Sequence, residues 1–232
     1  MHNSRGLAAL ILSLFFFSSI LQADYLYKDE ITHNKKLKEE INLLGDELYK
    51  ATGISVRLIM IKKLPKNTTI VEYEKEIMKN FDTPTVLLTF SREDKKVDIL
   101  ASNHSLYKYF DKKQILSPVA SIVQSFFMAV FFTHSWDEFK TTLNDYGGSI
   151  IPLLAQKAKK ENDKIKKYSA AMFNGYADLV SQIAASKGVK LKDDVGNSNK
   201  YAIYAVKLFF YGFILYAIFR YIKLQFRRKK DD

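Results

Sequence analysis

The chain has 232 residues, is 47% hydrophobic and 26% charged, and carries a formal net charge of +11. At ~150 residues per domain that is one ordinary domain with something added. Gly 9 and Pro 4 exclude collagen-like and low-complexity chains, Phe 17 and Tyr 14 exclude a wholly disordered one, and Cys 0 excludes disulfides, thiolate zinc centres, iron–sulfur clusters and cysteine nucleophiles.

Residues 1–23 read as a secretory signal. Arg5 supplies the positive start, Leu7 to Ile20 a short apolar core, and Leu21-Gln22-Ala23 a small residue before a cut at Asp24. The alternative is an uncleaved N-terminal anchor; either way the chain that follows leaves the cytoplasm. Asn34 to Ala51 has helical periodicity, with Leu37, Ile41, Leu44 and Leu48 inside and Gly53 as the stop. Ile54 to Ile61 is β-branched and apolar, a buried strand. Thr69 to Phe81 is a helix, with Thr69 or Thr68 as N-cap and Glu72 near the third position, a loose capping box. Pro84 to Phe90 is a second strand of the fully buried type, and Lys96 to Ala101 a third, joined to it by the polar turn Ser91 to Lys95.

Helical pattern follows. Ser117-Pro118 reads as the N-cap and first residue of a helix running to about Phe132. Trp136 to Leu143 and Ile150 onward are further helices, punctuated by Gly147-Gly148. Phe126 to Phe132 is apolar all round its helix. The first expectation is a central core helix; the alternative is a greasy face for a membrane partner or for the bilayer itself, the run being too short to span. From 158 to 200 the composition turns to Lys, Ala and Asn, while Ile165, Met172, Phe173, Tyr176, Leu179, Val180 and Ile183 keep helical spacing. That stretch reads as an amphipathic helix leaving the domain, then a polar linker from Lys187 to Lys200.

Residues 201–223 read as a single transmembrane helix. Ile203 to Phe219 is apolar apart from Tyr, Gly212 and Lys207, and the basic residues Arg220, Lys223, Arg227, Arg228, Lys229 and Lys230 follow it. That cluster orients the N-terminal domain outside and the tail, 224–232, in the cytoplasm. Residues 24–200 hold 28 basic and 23 acidic residues, a mild excess. No nucleic-acid partner is therefore expected. The fold expected is α/β: a small mixed β-sheet flanked by helices, with a βαββ core, C-terminal helices and then the membrane helix.

The order of these pieces resembles the TPM domain, a family of bacterial envelope proteins and a plant thylakoid-lumen protein. The residues that carry it are Thr52-Gly53-Ile54, the strand Thr85-Val86-Leu87-Leu88-Thr89, the turn and strand from Ser91 to Ile99, Ser117-Pro118, and Trp136-Asp137-Glu138-Phe139. The resemblance covers about residues 24–157. Where the family has a Gly before its apolar strand, Thr83-Pro84 stand here, and its Gly-rich turn after the third strand is replaced by Ser102 to Ser105. Those departures weaken any inherited ligand site.

Some members of the family are similar to acid phosphatases, and some bind calcium through loop carboxylates. The resemblance thus implies Ca or Mg as the cofactor of a phosphatase reading, with Asp82, Glu93 and Asp94 as the matching metal candidates. Asp82 precedes the second strand and the other two follow it, ~20 Å away at ~3.3 Å per residue, so they do not form one shared site. Read by position alone, each is a solvated turn carboxylate. His33, His104 and His134 lack ligand spacing, and no phosphate loop or nucleophile elbow is present. The expectation is a bitopic inner-membrane protein with a periplasmic domain, bound to the lipid bilayer through 201–223. Its expected role is an accessory module assisting assembly, maintenance or quality control of a complex with a membrane protein partner. The rival is a metal-dependent, acid-phosphatase-like hydrolase.

Overall fold

The computed structural model describes residues 24–192, Leu208, 211–216, 219 and 220. The expected signal, much of the linker, the tail and most of the expected membrane helix lie outside the described residues. The chain divides into two compact units, one ending at Val189 and one beginning at Lys190. In the second, the described residues from Leu208 on are helical, with Leu208, Phe213, Leu215 and Phe219 exposed. Among the described residues no helix is long and apolar enough to cross a membrane.

The first unit is α/β. Its strands among the described residues are β1 (Leu26–Asp29), β2 (Ser55–Ile61), β3 (Thr85–Ser91) and β4 (Lys96–Ala101), side by side in that order. β1 and β3 run parallel to β2, and β4 pairs antiparallel with β3. β1 went unforeseen because it is four residues long, with Lys28 and Asp29 breaking any apolar run. β2 and β3 are the continuous apolar runs and sit in the middle, where both faces are covered.

Helix α1 (Lys35–Thr52) starts where the Asn34 side chain accepts from the Lys36 and Leu37 N–H groups, and closes with Gly53 N–H on the Tyr49 carbonyl. Helix α2 (Ile70–Met78) opens on a complete capping box between Thr69 and Glu72. α2 covers one face of the sheet, where Ile70, Tyr73, Ile77, Met78 and Phe81 pack on Ile59, Ile61, Leu64 and Leu87.

The other face is covered by α1 and by the 26-residue helix α7 (Glu161–Ser186), which buries Met172, Tyr176, Leu179, Val180 and Ile183. This corrects the reading of that helix as leaving the domain: it completes the core. Tyr176 Oη donates to the Val56 carbonyl, 2.9 Å away. Gly45 of α1 lets the helices close on each other, since a Cβ there would lie 2.3 Å from Tyr25 Cγ and 2.5 Å from Tyr176 Oη.

Between β4 and α7 come a 3-10 turn (His104–Tyr109) and four helices: α3 (Lys112–Ile115), α4 (Ile122–Phe132), α5 (Trp136–Asn144) and α6 (Ile151–Leu154). α4 begins later than expected, because Ser121 rather than Ser117 caps it. α4 and α5 form a hairpin whose principal packing is on each other. Its foot is closed by Gly148 N–H on the Val119 carbonyl (3.0 Å) and Ser149 N–H on the Ile115 carbonyl (3.3 Å). A core position for Phe126–Phe132 is not what the fold adopts: Phe126, Phe127, Met128, Val130 and Phe132 are exposed.

Candidate functional site

The most perturbed carboxyl in the described residues belongs to none of the expected site residues. Glu74 sits on the sheet-facing side of α2, between Tyr73 and Ile77 in sequence, and is fully buried. No hydrogen bond of ordinary geometry reaches either of its carboxyl oxygens. Burial pushes its pKa up to about 8; Thr89 opposes the rise, the neighbouring Asp98 adds to it, and Lys112 draws it back. Burial thus favours the protonated, neutral form of Glu74. Thr89 and Asp98 stand directly opposite each other in the β3–β4 ladder. Asp98 in turn holds Lys112 of α3 at 2.5 Å, with its own side chain only 13% exposed.

This cluster unites one neutral carboxyl, one paired carboxylate, one hydroxyl and one lysine, contributed by α2, β3, β4 and α3. A carboxyl raised in this way marks acid–base sites, and it also marks structural networks. Burial decides between the two here: no reacting atom of a substrate reaches Glu74 without α2 lifting off the sheet. The group acts on stability, by favouring the protonated form.

The expected metal candidates are placed as follows. Asp82 is exposed in the loop before β3. Glu93 is exposed in the β3–β4 turn. Asp94 binds the turn together: its carboxylate accepts from Ser91 Oγ at 2.5 Å and from Leu64 N–H at 2.8 Å. The Ser91 hydroxyl and then the Leu64 N–H hold this carboxyl below its ordinary range. Asp82 and the turn lie at opposite ends of the seven-residue β3. Among the described residues no group of three or more His, Asp or Glu side chains is arranged to hold a metal ion.

One surface depression lies beside the 3-10 turn and the end of α7, lined by Tyr107, Lys108, Tyr109, Lys112, Lys113 and Ser186. Lys108 and Lys187 stand over the Tyr109 ring at 4.9 and 4.4 Å. Their ammonium groups, Lys187 first, hold its phenol below the ordinary tyrosine range.

The hairpin is the other feature that the core does not use. Phe127 is 55%, Phe132 73% and Trp136 68% exposed; outside the hairpin, the exposed large apolar side chains among the described residues of the first unit are Leu43 and Tyr49, both on α1. Trp136 stacks on Phe139 at 5.3 Å, with Lys140 over its ring at 5.5 Å. Sequence reasoning reached these residues by composition, through a run that is apolar all round. No family model matches the chain, and no curated protein is significantly similar to it.

Proposed function

We propose that this chain is a non-enzymatic module held at a membrane, where it assists assembly, maintenance or quality control of a complex containing a membrane protein. The reading takes it as bitopic: a TPM-like domain in the periplasm, a helix over 201–223 in the inner membrane, and a basic tail in the cytoplasm. The observation that carries it is the α4–α5 hairpin, an apolar element that gathers most of the exposed large apolar side chains described in the first unit. Contiguous exposed apolar surface of this kind marks contact with a protein or a membrane. The lipid-facing part of the reading draws on the apolar run Ile203 to Phe219 and the six basic residues from Arg220 to Lys230. Tethering concentrates the domain near partners in the same membrane.

The test is cross-linking in intact membranes, with photoreactive residues at the exposed positions Leu43 and Lys108. A discrete adduct with an integral membrane protein is expected. Hydrolysis of a phosphomonoester by the full chain that needs Ca²⁺, Mg²⁺ or Mn²⁺ and is lost in Asp82→Asn or Asp94→Asn would overturn the non-enzymatic reading.

A further inference from the structure

The geometry points to a lipid bilayer as the occupant of the hairpin: we propose that α4 lies in the plane of one leaflet, at the boundary of headgroups and acyl chains, with α5 between it and water. The inference rests on the reading of the chain as membrane-held and goes beyond it by naming what the hairpin touches.

Three observations select lipid over a protein groove. The first is the width of the exposed surface. Phe126, Phe127, Met128, Val130 and Phe132 are all exposed. At ~100° per residue they occupy roughly 240° of the helix circumference, leaving mainly the Ser125–Ala129 side for α5. A helix seated in a protein groove presents one stripe, with anchors at i, i+3, i+4 and i+7. An acyl boundary wraps a helix on every side that its own partner leaves open.

The second is how the polar groups are handled. Ile115 to Trp136 contains no Asp, Glu, Lys or Arg. Within the hairpin, Ser125 Oγ donates to the Thr142 carbonyl and Thr133 Oγ1 to the Ala129 carbonyl at 2.5 Å. Hydroxyls that turn back onto backbone carbonyls suit a medium without water. Of the exposed α4 side chains described, the polar one is Gln124, in the first turn.

The third is charge. The hairpin's charged residues, Asp137, Glu138, Lys140 and Asp145, all belong to α5 and its end, on the side this placement leaves in water. At the foot, Gln114 Nε2 donates to the Gly147 carbonyl (2.6 Å), and Gln182 donates to Gln114 Oε1 (2.6 Å). Gln182 also lines the depression that carries Lys108 and Lys113, with Asp111 as its acid; Lys112, in the same depression, is paired with Asp98. Basic groups linked through Gln182 and Gln114 to the foot of an apolar hairpin match anionic headgroups, and Trp136 with its Lys140 suits the same depth. Eleven residues of helix at ~1.5 Å each give a length of ~16 Å, enough to lie in a leaflet and too little to cross the ~30 Å core.

Because the chain has no cysteine, single replacements can be labelled directly. The full chain carrying Val130→Cys, Phe132→Cys or the α1 control Leu43→Cys is labelled with a polarity-sensitive fluorophore. Each is reconstituted in vesicles of equal parts phosphatidylcholine and phosphatidylglycerol. The expected result is blue-shifted emission at 130 and 132 that loses most of its intensity to lipids spin-labelled near the top of the acyl chain, and an unshifted label at 43 quenched by aqueous iodide. Iodide quenching at 130 and 132 equal to that at 43 would overturn the proposal. A blue shift at 130 and 132 with no lipid quenching would also overturn it, in favour of a second copy or a protein partner, while leaving the membrane-held reading intact. A chain that fails to float with the vesicles would overturn both. As a variant that spares the core, Phe132→Asp in the full chain should keep the circular dichroism of the parent and lose the lipid quenching read from a label at 130.

Discussion

In α7, Met172, Tyr176, Leu179, Val180 and Ile183 are sealed against the sheet; in α4, Phe126, Phe127, Val130 and Phe132 stand at the surface. The two helices draw on similar apolar residues and put them to opposite use. α7 has a stripe, with polar residues such as Asn174, Asp178 and Ser181 between the buried positions, and the sheet supplies a matching face. α4 has no polar side, and its principal partner is the short helix α5, which covers only part of it. Apolar content therefore says that a helix will seek cover. Its pattern, and the surfaces the rest of the chain has free, decide whether that cover comes from inside the molecule.

The sharpest way to break this comparison is to truncate one aromatic in each region. Tyr176→Ala should cost about 3–5 kcal/mol, as removal of a large buried side chain does. Phe132→Ala should change stability by no more than ~0.5 kcal/mol, as exposed substitutions do. Denaturant unfolding followed by circular dichroism reads both, and equal losses would mean that the hairpin is part of the core after all.

The buried acid sharpens the picture of the α2 face. Glu74 binds its proton more tightly folded, with a pKa of about 8, than unfolded, near 4.5. Between those values the folded state holds more protons, so stability falls as pH rises, by a few kcal/mol at ~1.4 kcal/mol per unit. Below pH 4.5 this contribution is complete and flat. Asp29, held low in spite of burial by hydrogen bonds from Thr32 and Ile31, acts the other way and loses its contribution as pH falls. Glu74→Gln should flatten the fall in melting temperature between pH 4.5 and about 8; an unchanged slope in that window would show that Glu74 does not drive it.

Two smaller effects concern the joints of the core. Gly45→Ala gains helix propensity but places a methyl against Tyr25 and Tyr176, and should be destabilising by ~1–3 kcal/mol. Thr69→Ala removes the hydroxyl that accepts from Glu72 N–H at 3.2 Å, for a loss of about 1 kcal/mol. The same unfolding measurement ranks them.

Most of the sheet was legible because its signals are local. The runs at β2 and β3, the polar turn before β4, the capping box at Thr69 and the stripe of α1 each announce themselves within a dozen residues. β1 was not legible: Leu26-Tyr27-Lys28-Asp29 becomes a strand only because β2 offers it an edge. The destination of α7 was misread because its lysines suggested a solvated helix. The better signal was the set of small residues at Ala171, Gly175, Ala177 and Ala184, all of which are buried.

The acid cluster was legible only in part. Glu74 falls on the α2 stripe of Ile70, Tyr73, Ile77 and Phe81, an odd place for a carboxylate, but Asp98 and Lys112 look like any surface residues until β4 and α3 are placed. Asp82, Glu93 and Asp94 were conspicuous for the opposite reason: turns concentrate carboxylates, whether or not they bind anything.

The position of α7 at the end of the domain also orders events in time. β1 to β4 and α1 are complete by Ala101, yet the side of the sheet that receives Tyr176 is covered only in part, by α1, until residues 161–186 arrive. A chain made from its N-terminus thus has no finished core for most of its synthesis, and its early strands can lock only when the closing helix has been delivered. On the proposed reading of the domain as exported, that late closure keeps the chain threadable until nearly all of the domain has been handed over.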